Sequence, residues 1–122
     1  MAKSVLLIED EPNIIEAVHY ILSRDGWSVK AHAKGHNANA VIASYQPDLI
    51  ILDVMLPGKS GYDILRDLRL STEGAGTPVL MLTARGQNKD REKAECLGAS
   101  RFMTKPFSNQ DLIDAVRELA GV

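Results

Sequence analysis

Acidic groups, a hydroxyl and an amine each follow directly after a short apolar run of the sequence. In chain order these residues are Glu9, Asp10, Glu11, Asp53, Thr83 and Lys105. If the apolar runs are parallel strands, their carboxyl ends meet at one edge of a sheet, where ligands of such folds bind. The spacing therefore predicts one cluster of carboxylates with a hydroxyl and an ammonium group beside it.

Carboxylates that converge at one edge repel each other, and one must take a proton unless a cation intervenes. If the first and third strands are neighbours, Glu9, Asp10 and Asp53 would meet in this way. Carboxylate oxygens without Cys or His nearby favour a hard divalent cation such as Mg²⁺, which commonly bridges a phosphate. Lys105 and Thr83 would add a positive charge and a hydroxyl donor. This set fits phosphoryl transfer, in which a carboxylate can be the nucleophile and form an aspartyl-phosphate.

Each of these residues also has a simpler interpretation. Asp10 or Glu11 could cap the helix that follows them, and Asp53 could form an Asx-turn. Thr83 is an ordinary strand residue, and Lys105 could be a solvated charge at a strand exit. The functional interpretation depends on their coincidence at one edge of the sheet.

Strand-like and helix-like patterns alternate five times along the chain. The predicted strands are residues 4–8, 27–32, 49–52, 78–83 and 101–104, and the predicted helices lie within residues 9–26, 37–47, 61–71, 88–98 and 108–121. Strands joined by helices run parallel, and a parallel sheet is covered on both faces, which explains the unbroken apolar runs. The pattern predicts an α/β fold with a doubly wound, five-stranded parallel sheet and five helices.

The last two predicted helices differ in how firmly the sequence anchors them. The fourth has a thin apolar face, for which we expect mainly Ala94, Cys96 and Leu97 to pack inward, and this is typical of an element with low local stability. The fifth has Ser108 as a candidate N-cap and a regular apolar face. The fourth helix is therefore the element best suited to move.

The composition bounds the class of protein. A chain of 122 residues, 45% hydrophobic and 25% charged, predicts one globular domain over residues 1–122. The net charge of −2 does not indicate direct nucleic-acid binding. A lone cysteine, Cys96, fits a reducing cytoplasm. Neither a membrane span nor a signal peptide is expected, because no apolar run is long enough.

Four motifs in order resemble the receiver domains of two-component response regulators, and the resemblance covers essentially the whole chain. They are "IEDEP" after the first strand, "LDVMLPGKSGYDIL" around the third, "LTAR" after the fourth and "FMTKPF" after the fifth. Each motif is short, but four at these spacings are specific. The resemblance implies the flavodoxin-like (CheY-like) strand order 2-1-3-4-5, in which strands one and three are neighbours.

The resemblance also implies a metal site and a phosphoacceptor. Asp53 resembles the phosphoacceptor, and Asp10 resembles the direct Mg²⁺ ligand, with Glu9 placed to act through water. The backbone carbonyl of Met55 resembles the third protein ligand. Met55 and Arg85 stand at positions that the family varies to set the lifetime of the phosphoryl group.

Further positions resemble the family's contact and switch residues. Thr83 and Lys105 resemble the pair that contacts the phosphoryl oxygens, and the bond between Lys105 and Pro106 resembles the family's cis peptide. Phe102 stands at the aromatic switch position. When Thr83 moves inward, it would open space into which Phe102 can turn, which shifts an inactive–active equilibrium.

The implied partners are a sensor histidine kinase or a histidine phosphotransfer protein, and a downstream protein target or a fused output domain outside this chain. The domain would assist its own phosphorylation and dephosphorylation rather than act as an enzyme on other substrates. Receivers of winged-helix transcription factors often carry acids where this chain has Ser100 and Arg101, and those acids join an inter-subunit ion-pair network. We therefore expect a monomer or a weak dimer. A stand-alone signalling protein is the first expectation, and an excised regulatory domain of a longer protein is the alternative.

Three alternatives belong to other classes. A haloacid-dehalogenase-type phosphatase also uses an aspartyl-phosphate, but it typically has a second aspartate where this chain has Met55. A flavodoxin-like FMN-binding protein would have a phosphate-binding loop rich in Ser, Thr and Gly where this chain has "EDEPN", whose acids would repel phosphate. A degenerate receiver that only binds proteins would not need the full set of acids, threonine and lysine.

Overall fold

A computed structural model describes residues 3–71, 74–84 and 88–122, with the backbone alone considered at residue 88. The strands are β1 (Ser4–Ile8), β2 (Ser28–His32), β3 (Leu49–Asp53), β4 (Val79–Thr83) and β5 (Arg101–Thr104). The helices are α1 (Pro12–Arg24), α2 (Ala38–Tyr45), α3 (Gly61–Leu70), α4 (Asn88–Cys96) and α5 (Asn109–Ala120). Every predicted element is confirmed, and the bounds differ by a few residues at the ends, where helices and strands fray.

The five strands form one parallel sheet in the order β2-β1-β3-β4-β5, as predicted. The chain winds outward from β1 in one direction and from β3 in the other, so the order reverses between these two strands. Ile8 at the end of β1 lies opposite Leu52 of β3. The residues that follow these two strands therefore leave the sheet side by side, at the point where ligands bind in open α/β sheets.

The sheet is covered on both faces, which explains why its central strands are apolar at every position. Alternate side chains of β1 and β3 face opposite sides of the sheet. One buried cluster joins Leu6, Ile8, Ile50 and Leu52 to α2, α3 and α4. The other joins Val5, Leu7, Leu49 and Ile51 to α1 and α5. The strand β3 is therefore buried at every position, including its last residue.

The ends of the helices test two of the sequence interpretations. The Ser108 hydroxyl accepts a hydrogen bond from the Asp111 amide at 3.0 Å, so the predicted cap of α5 is confirmed. At the start of α1, neither Asp10 nor Glu11 was found to cap the helix through its side chain. Glu11 occupies the N-cap position of α1, but its carboxylate does not serve as the cap and is available for another purpose.

The packing of α4 corrects one prediction. Ala94 is fully buried and Leu97 is half-buried, but Cys96 is exposed. Residues two positions apart project from a helix about 200° from each other, so Cys96 cannot share the inward face with Ala94. Among the α4 side chains that the structure describes, Ala94 is the buried one. The face of α4 is thus even thinner than the sequence indicated.

None of the helices within the described ranges has the length and the apolar character that a membrane crossing requires.

Candidate functional site

Asp53 is the last residue of β3, between β1 and β4, and it is only 3% exposed. Its backbone is paired in register with Leu82 of β4, so Thr83 lies one residue further along the neighbouring strand. The rigid central strand therefore carries a carboxylate to the rim of the sheet and holds it there in one orientation. Holding a reacting group in this way is the contribution that a scaffold makes to positioning.

Three carboxylates converge at this rim. Oxygens of Glu9, Asp10 and Asp53 lie within 4.8 Å of one another. Glu9 is fully buried, whereas its neighbour Asp10 is exposed. Glu9 Oε2 accepts hydrogen bonds from the backbone amides of Asp10 and Glu11, at 3.0 and 3.2 Å. This carboxylate therefore shapes the β1–α1 loop with one oxygen and faces the cluster with the other.

Lys105 lies among these carboxylates, and its side chain is 9% exposed. Its Nζ atom is 2.6 Å from Glu9 Oε1 and 3.4 Å from Asp53 Oδ1 and from Glu11 Oε1. Glu9 Oε1 is buried, and Lys105 is the ion-pair partner that the described part of the chain provides for it. Burial lowers the pKa of Lys105, but the hydrogen bond to Glu9 and the charges of Asp53, Glu9 and Glu11 outweigh it, so the pKa is raised. Lys105 is therefore the cationic counter-ion of the cluster.

The environment raises the pKa of Asp53 from 3.8 to about 7. Burial is the largest cause and the charge of Glu9 is the second; the charge of Lys105 and a backbone hydrogen bond from Met55 act in the opposite direction. The one ammonium group of Lys105 does not neutralise all the carboxylates around it. The cluster therefore has too little positive charge at neutral pH. The donor set is carboxylate oxygen, with no His or Cys in the cluster that the described residues form. Such a site fits a hard divalent cation of the Mg²⁺ type.

Thr83 and Lys105 are brought together by the β4–β5 pairing. Thr83 is 1% exposed and lies opposite Thr104. Its carbonyl accepts the Lys105 backbone N–H at 2.8 Å. The bond between Lys105 and Pro106 is cis, as the resemblance implied. The hydroxyl and ammonium groups predicted from the sequence thus stand beside the acids at one rim.

The remaining predicted residues have distinct places. Met55 follows Asp53 in the β3–α3 loop, with its side chain 64% exposed beside the cluster. Phe102 is 7% exposed and belongs to the core cluster that also contains Leu52 and Met81. Arg85 lies outside the described residues. The sequence placed Glu11 at this rim and also allowed it to be a helix cap; its carboxylate faces Lys105, as the first of these interpretations predicts.

Gly61, the first residue of α3, is a site residue that sequence reasoning missed. A Cβ atom there would lie 2.2 Å from the Asp53 carbonyl oxygen and 2.9 Å from the Val54 Cα. The Gly61 amide also donates to the Val54 carbonyl at 2.9 Å. Only a residue without a side chain lets α3 begin this close to the backbone that carries the acceptor carboxylate.

We predict that Gly61→Ala destabilises the domain by about 3 kcal/mol, because backbone atoms must move to admit the methyl group. The control is Gly76→Ala, where a Cβ atom would meet nothing within 4 Å. Urea denaturation measures both variants. If Gly61→Ala unfolded at the same urea concentration as Gly76→Ala, the close approach at Asp53 would not be a constraint.

Comparisons with known proteins agree with this geometry. The family profile described as "Response regulator receiver domain" matches residues 5–117. The chain is 39% identical over 116 residues to "Probable transcriptional regulatory protein TcrX" of Mycobacterium tuberculosis; the match covers 95% of this chain and 49% of that protein. The chain thus spans about half the length of this curated relative.

Solved structures are similar over their whole length. One from Chloroflexus aurantiacus, assigned as a response regulator, has a TM-score of 0.95 at 30% identity, with complete coverage of both chains. The receiver domain of the sensor histidine kinase PA1611 from Pseudomonas aeruginosa has a TM-score of 0.91 at 28% identity, also with complete coverage. That structure contains a magnesium ion in its active-site cleft.

The family match gives no support to the haloacid-dehalogenase-type alternative, since it accounts for most of the chain as a signalling domain. The fold and the strand order agree with those of the similar solved structures. The chain therefore belongs to the receiver domains of response regulators, which work in phosphorylation-dependent two-component signalling.

Proposed function

We propose that Asp53 accepts a phosphoryl group from a phosphohistidine of a sensor histidine kinase or a histidine phosphotransfer protein. The observation that supports this proposal is the buried Asp53 carboxylate at the end of β3, with Lys105 Nζ 3.4 Å from its oxygen. Residues 1–122 act in this proposal as one receiver domain. A reducing cytoplasm is its proposed location, which suits the exposed Cys96 thiol.

In the proposed reaction, an Asp53 carboxylate oxygen attacks the phosphorus atom in line with the bond to the donor imidazole. The P–N bond breaks, its electron pair returns to the imidazole, and an acyl phosphate remains on Asp53. Lys105 and Thr83 would contact the oxygens of the transferred group, where a cation and a hydroxyl stabilise the developing charge. Only the deprotonated carboxylate of Asp53 is a nucleophile. Because its pKa is raised, a nearby cation that lowers the pKa again would increase the fraction of reactive carboxylate.

We propose that Glu9, Asp10, Asp53 and the backbone carbonyl of Met55 hold Mg²⁺, with Glu9 acting through water. When bound, the ion supplies positive charge that keeps Asp53 ionised and neutralises phosphoryl oxygens. Asp10 suits a direct ligand because its carboxylate is exposed beside the cluster, whereas Glu9 is already engaged by two amides and Lys105. The protein would supply the positions of the oxygens before the ion arrives.

The proposed output is a change in conformation rather than a chemical product. The transferred group would draw Thr83 and Lys105 toward it, and Phe102 would turn into the space that Thr83 leaves. A downstream protein target or a fused output domain would read the new surface. Hydrolysis of the acyl phosphate, assisted by the same residues, would reset the domain.

The proposal is tested by incubating the protein with Mg²⁺ and acetyl phosphate and measuring its intact mass. We expect wild type to gain one phosphoryl group that is labile in base, and Asp53→Asn to gain none. Omitting Mg²⁺ should abolish most of the gain. Equal incorporation in wild type and Asp53→Asn would place the acceptor elsewhere, and no incorporation in wild type would overturn the proposal.

The same experiment separates the phosphatase alternative. A receiver takes up one phosphoryl group in a self-limiting reaction, whereas a phosphatase turns over small phosphate esters. We therefore expect no sustained release of phosphate from an ester such as para-nitrophenyl phosphate. Sustained turnover that Asp53→Asn abolishes would favour the enzyme over the switch.

A further inference from the structure

Two loops at the rim of the sheet contact each other, the β2–α2 loop (residues 33–37) and the β3–α3 loop (residues 54–60). The Gly35 amide donates a hydrogen bond to the Pro57 carbonyl at 3.0 Å. Gly35 is buried, whereas both of its chain neighbours are exposed. The β2–α2 loop therefore turns the backbone of its middle residue toward the β3–α3 loop.

The contact is too close for a side chain at Gly35. A Cβ atom there would lie 2.0 Å from the Lys59 carbonyl oxygen and 2.8 Å from the backbone nitrogen and carbonyl carbon of the same residue. All three of these atoms belong to the backbone, so no change of rotamer would make room for a methyl group. A side chain at this position would push the two loops apart.

The β3–α3 loop carries Met55, whose carbonyl is the proposed backbone ligand of Mg²⁺. On one side of Met55, the Val54 amide donates to the Leu82 carbonyl of β4 at 3.1 Å. On the other side, Pro57 is held by Gly35, and its ring fixes its own φ and keeps the preceding residue extended. Only two residues lie between these attachments, so the direction of the Met55 carbonyl depends on both of them.

The β2–α2 loop is itself attached to the sheet and to the helix that follows it. The His32 carbonyl at the end of β2 accepts the Glu9 amide at 3.1 Å, and His32 Nε2 donates to the His36 carbonyl at 3.1 Å. The Gly35 carbonyl accepts the amide of Ala38, the first residue of α2, at 3.1 Å. These bonds give Gly35 a fixed position from which it holds the β3–α3 loop.

We infer that Gly35 is a positioning residue for the proposed metal site. Its amide and its lack of a side chain hold the β3–α3 loop and thereby set the direction of the Met55 carbonyl. This inference rests on the proposed function, because it takes that carbonyl as a ligand of Mg²⁺. Gly35 itself contacts neither the ion nor the phosphoryl group, so its effect should appear in the affinity for Mg²⁺. Changing a residue that supports a metal ligand typically lowers metal affinity by about tenfold to a hundredfold.

Selective isotope labelling makes the Met55 carbonyl directly observable by NMR. With ¹³C at the methionine carbonyls and ¹⁵N at the leucine amides, a correlation spectrum shows only methionine–leucine pairs. The sequence contains two such pairs, Met55–Leu56 and Met81–Leu82. Met55→Leu removes the first signal and so assigns both. Titration with Mg²⁺ then gives the dissociation constant from the shift of the Met55–Leu56 signal.

We expect Gly35→Ala to shift the Met55–Leu56 signal already in Mg²⁺-free protein, and to raise the dissociation constant for Mg²⁺ by about tenfold or more. The Met81–Leu82 signal should shift less, because both residues lie within β4. The reacting groups are unchanged in this variant. A saturating concentration of Mg²⁺ should therefore restore most of the rate of phosphoryl incorporation that is lost at low Mg²⁺.

Val116→Ala is the control for a loss of stability alone. Val116 is fully buried in α5, in the core cluster on the other face of the sheet from the one that Leu56 of the β3–α3 loop joins. Its truncation should lower the urea concentration at which the domain unfolds, but should leave the dissociation constant for Mg²⁺ as in wild type.

His32→Ala is a milder variant that adds no atoms to the contact between the loops. It removes the hydrogen bond to the His36 carbonyl, which helps to fix the β2–α2 loop. We expect the dissociation constant for Mg²⁺ to rise in this variant too, but by less than in Gly35→Ala. If Gly35→Ala does not fold, His32→Ala decides the question.

Two results would overturn the inference. One is an unchanged dissociation constant in Gly35→Ala, or in His32→Ala where Gly35→Ala does not fold. The other is an equal loss of affinity in Val116→Ala, which would mean that any destabilised variant binds Mg²⁺ poorly. Neither result bears on the phosphoacceptor, which is tested by incorporation at Asp53. Failure of wild type itself to bind Mg²⁺ would instead remove the proposed metal site, and the role of Gly35 with it.

Discussion

Replacing Lys105 by methionine is expected to lower the rate of phosphoryl incorporation by about a hundredfold or more, the usual cost of removing one group that stabilises developing charge. The same substitution should destabilise the Mg²⁺-free domain by about 2–4 kcal/mol, because it leaves buried acids without their counter-ion. Methionine is unbranched and flexible, so it can follow the course of the lysine stem. Both effects come from the loss of one charge that lies 2.6 Å from Glu9 Oε1.

The loss of stability should depend on pH with a defined sign. The raised pKa of Lys105 means that its own contribution is lost only as the pH rises through and above the ordinary lysine value of 10.5, outside the range of interest. The charge of Lys105 lowers the pKa of Asp53, so in Lys105→Met that pKa rises further. An acid whose folded-state pKa is raised costs stability as the pH increases. The free energy of unfolding of Lys105→Met should therefore be lowest at alkaline pH and increase as the pH falls.

A matched control for this prediction is Lys59→Met. Lys59 is also partly buried and ion-paired, with Asp67, but its partner belongs to α3 and not to the acidic cluster. Its loss should cost at most about 1 kcal/mol and leave phosphoryl incorporation unchanged. Urea denaturation and timed intact mass measure both quantities. Equal rates in Lys105→Met and wild type would show that the ammonium group plays no part in the transfer.

The sequence predicts much of this fold because its central strands are apolar at every position. Such runs are expected only where helices cover both faces of a sheet, and the two core clusters show this arrangement. The carboxyl ends of parallel strands share an edge, so the acids after β1 and β3 could be placed there from the pattern alone. Their adjacency needed the strand order, which the residue pattern does not contain and the family resemblance supplied.

Other features could not be predicted, because they depend on the orientation of single side chains. Glu9 and Asp10 are neighbours of the same type in the sequence, yet one is fully buried and the other is exposed. The conformation of the turn after β1 determines which of the two acids is buried. The backbone hydrogen bonds that this turn donates to Glu9 cannot be predicted from the residue pattern. The rotation of α4 about its axis was equally uncertain, since a helix with few apolar residues has no strong preferred face. This is why Cys96 was assigned to the wrong side.

Asp53→Asn is expected to stabilise the Mg²⁺-free domain at about pH 8, by about 2–4 kcal/mol, while it abolishes phosphorylation. The shift of the Asp53 pKa from 3.8 to about 7 corresponds to roughly 4 kcal/mol when the group is fully ionised. We expect less than this maximum because Glu9 and Lys105 readjust to share the change in charge. Asparagine has nearly the same shape and no charge, so it removes the penalty without leaving a cavity.

The gain should follow the pH in the direction that linkage requires. A carboxyl whose folded-state pKa lies above its unfolded value binds its proton more tightly when folded, so wild type loses stability as the pH rises from about 4 to about 7. The advantage of Asp53→Asn should therefore be absent near pH 4, grow across this range and level off above it. Urea denaturation in a chelating buffer measures the profile. Asp114→Asn, on the exposed side of α5, is the control and should stay within about 0.5 kcal/mol of wild type at every pH.

Added Mg²⁺ provides the opposing test of the same carboxylate. An ion that binds the folded domain alone stabilises it in proportion to the logarithm of its concentration above the dissociation constant. Wild type should gain from Mg²⁺, whereas Asp53→Asn, with one acidic ligand fewer, should gain much less. The two stabilities should thus converge, or change order, as Mg²⁺ is titrated at alkaline pH. Parallel pH profiles of the two proteins, together with equal responses to Mg²⁺, would mean that Asp53 is not a destabilising charge, because that charge is the only difference between them.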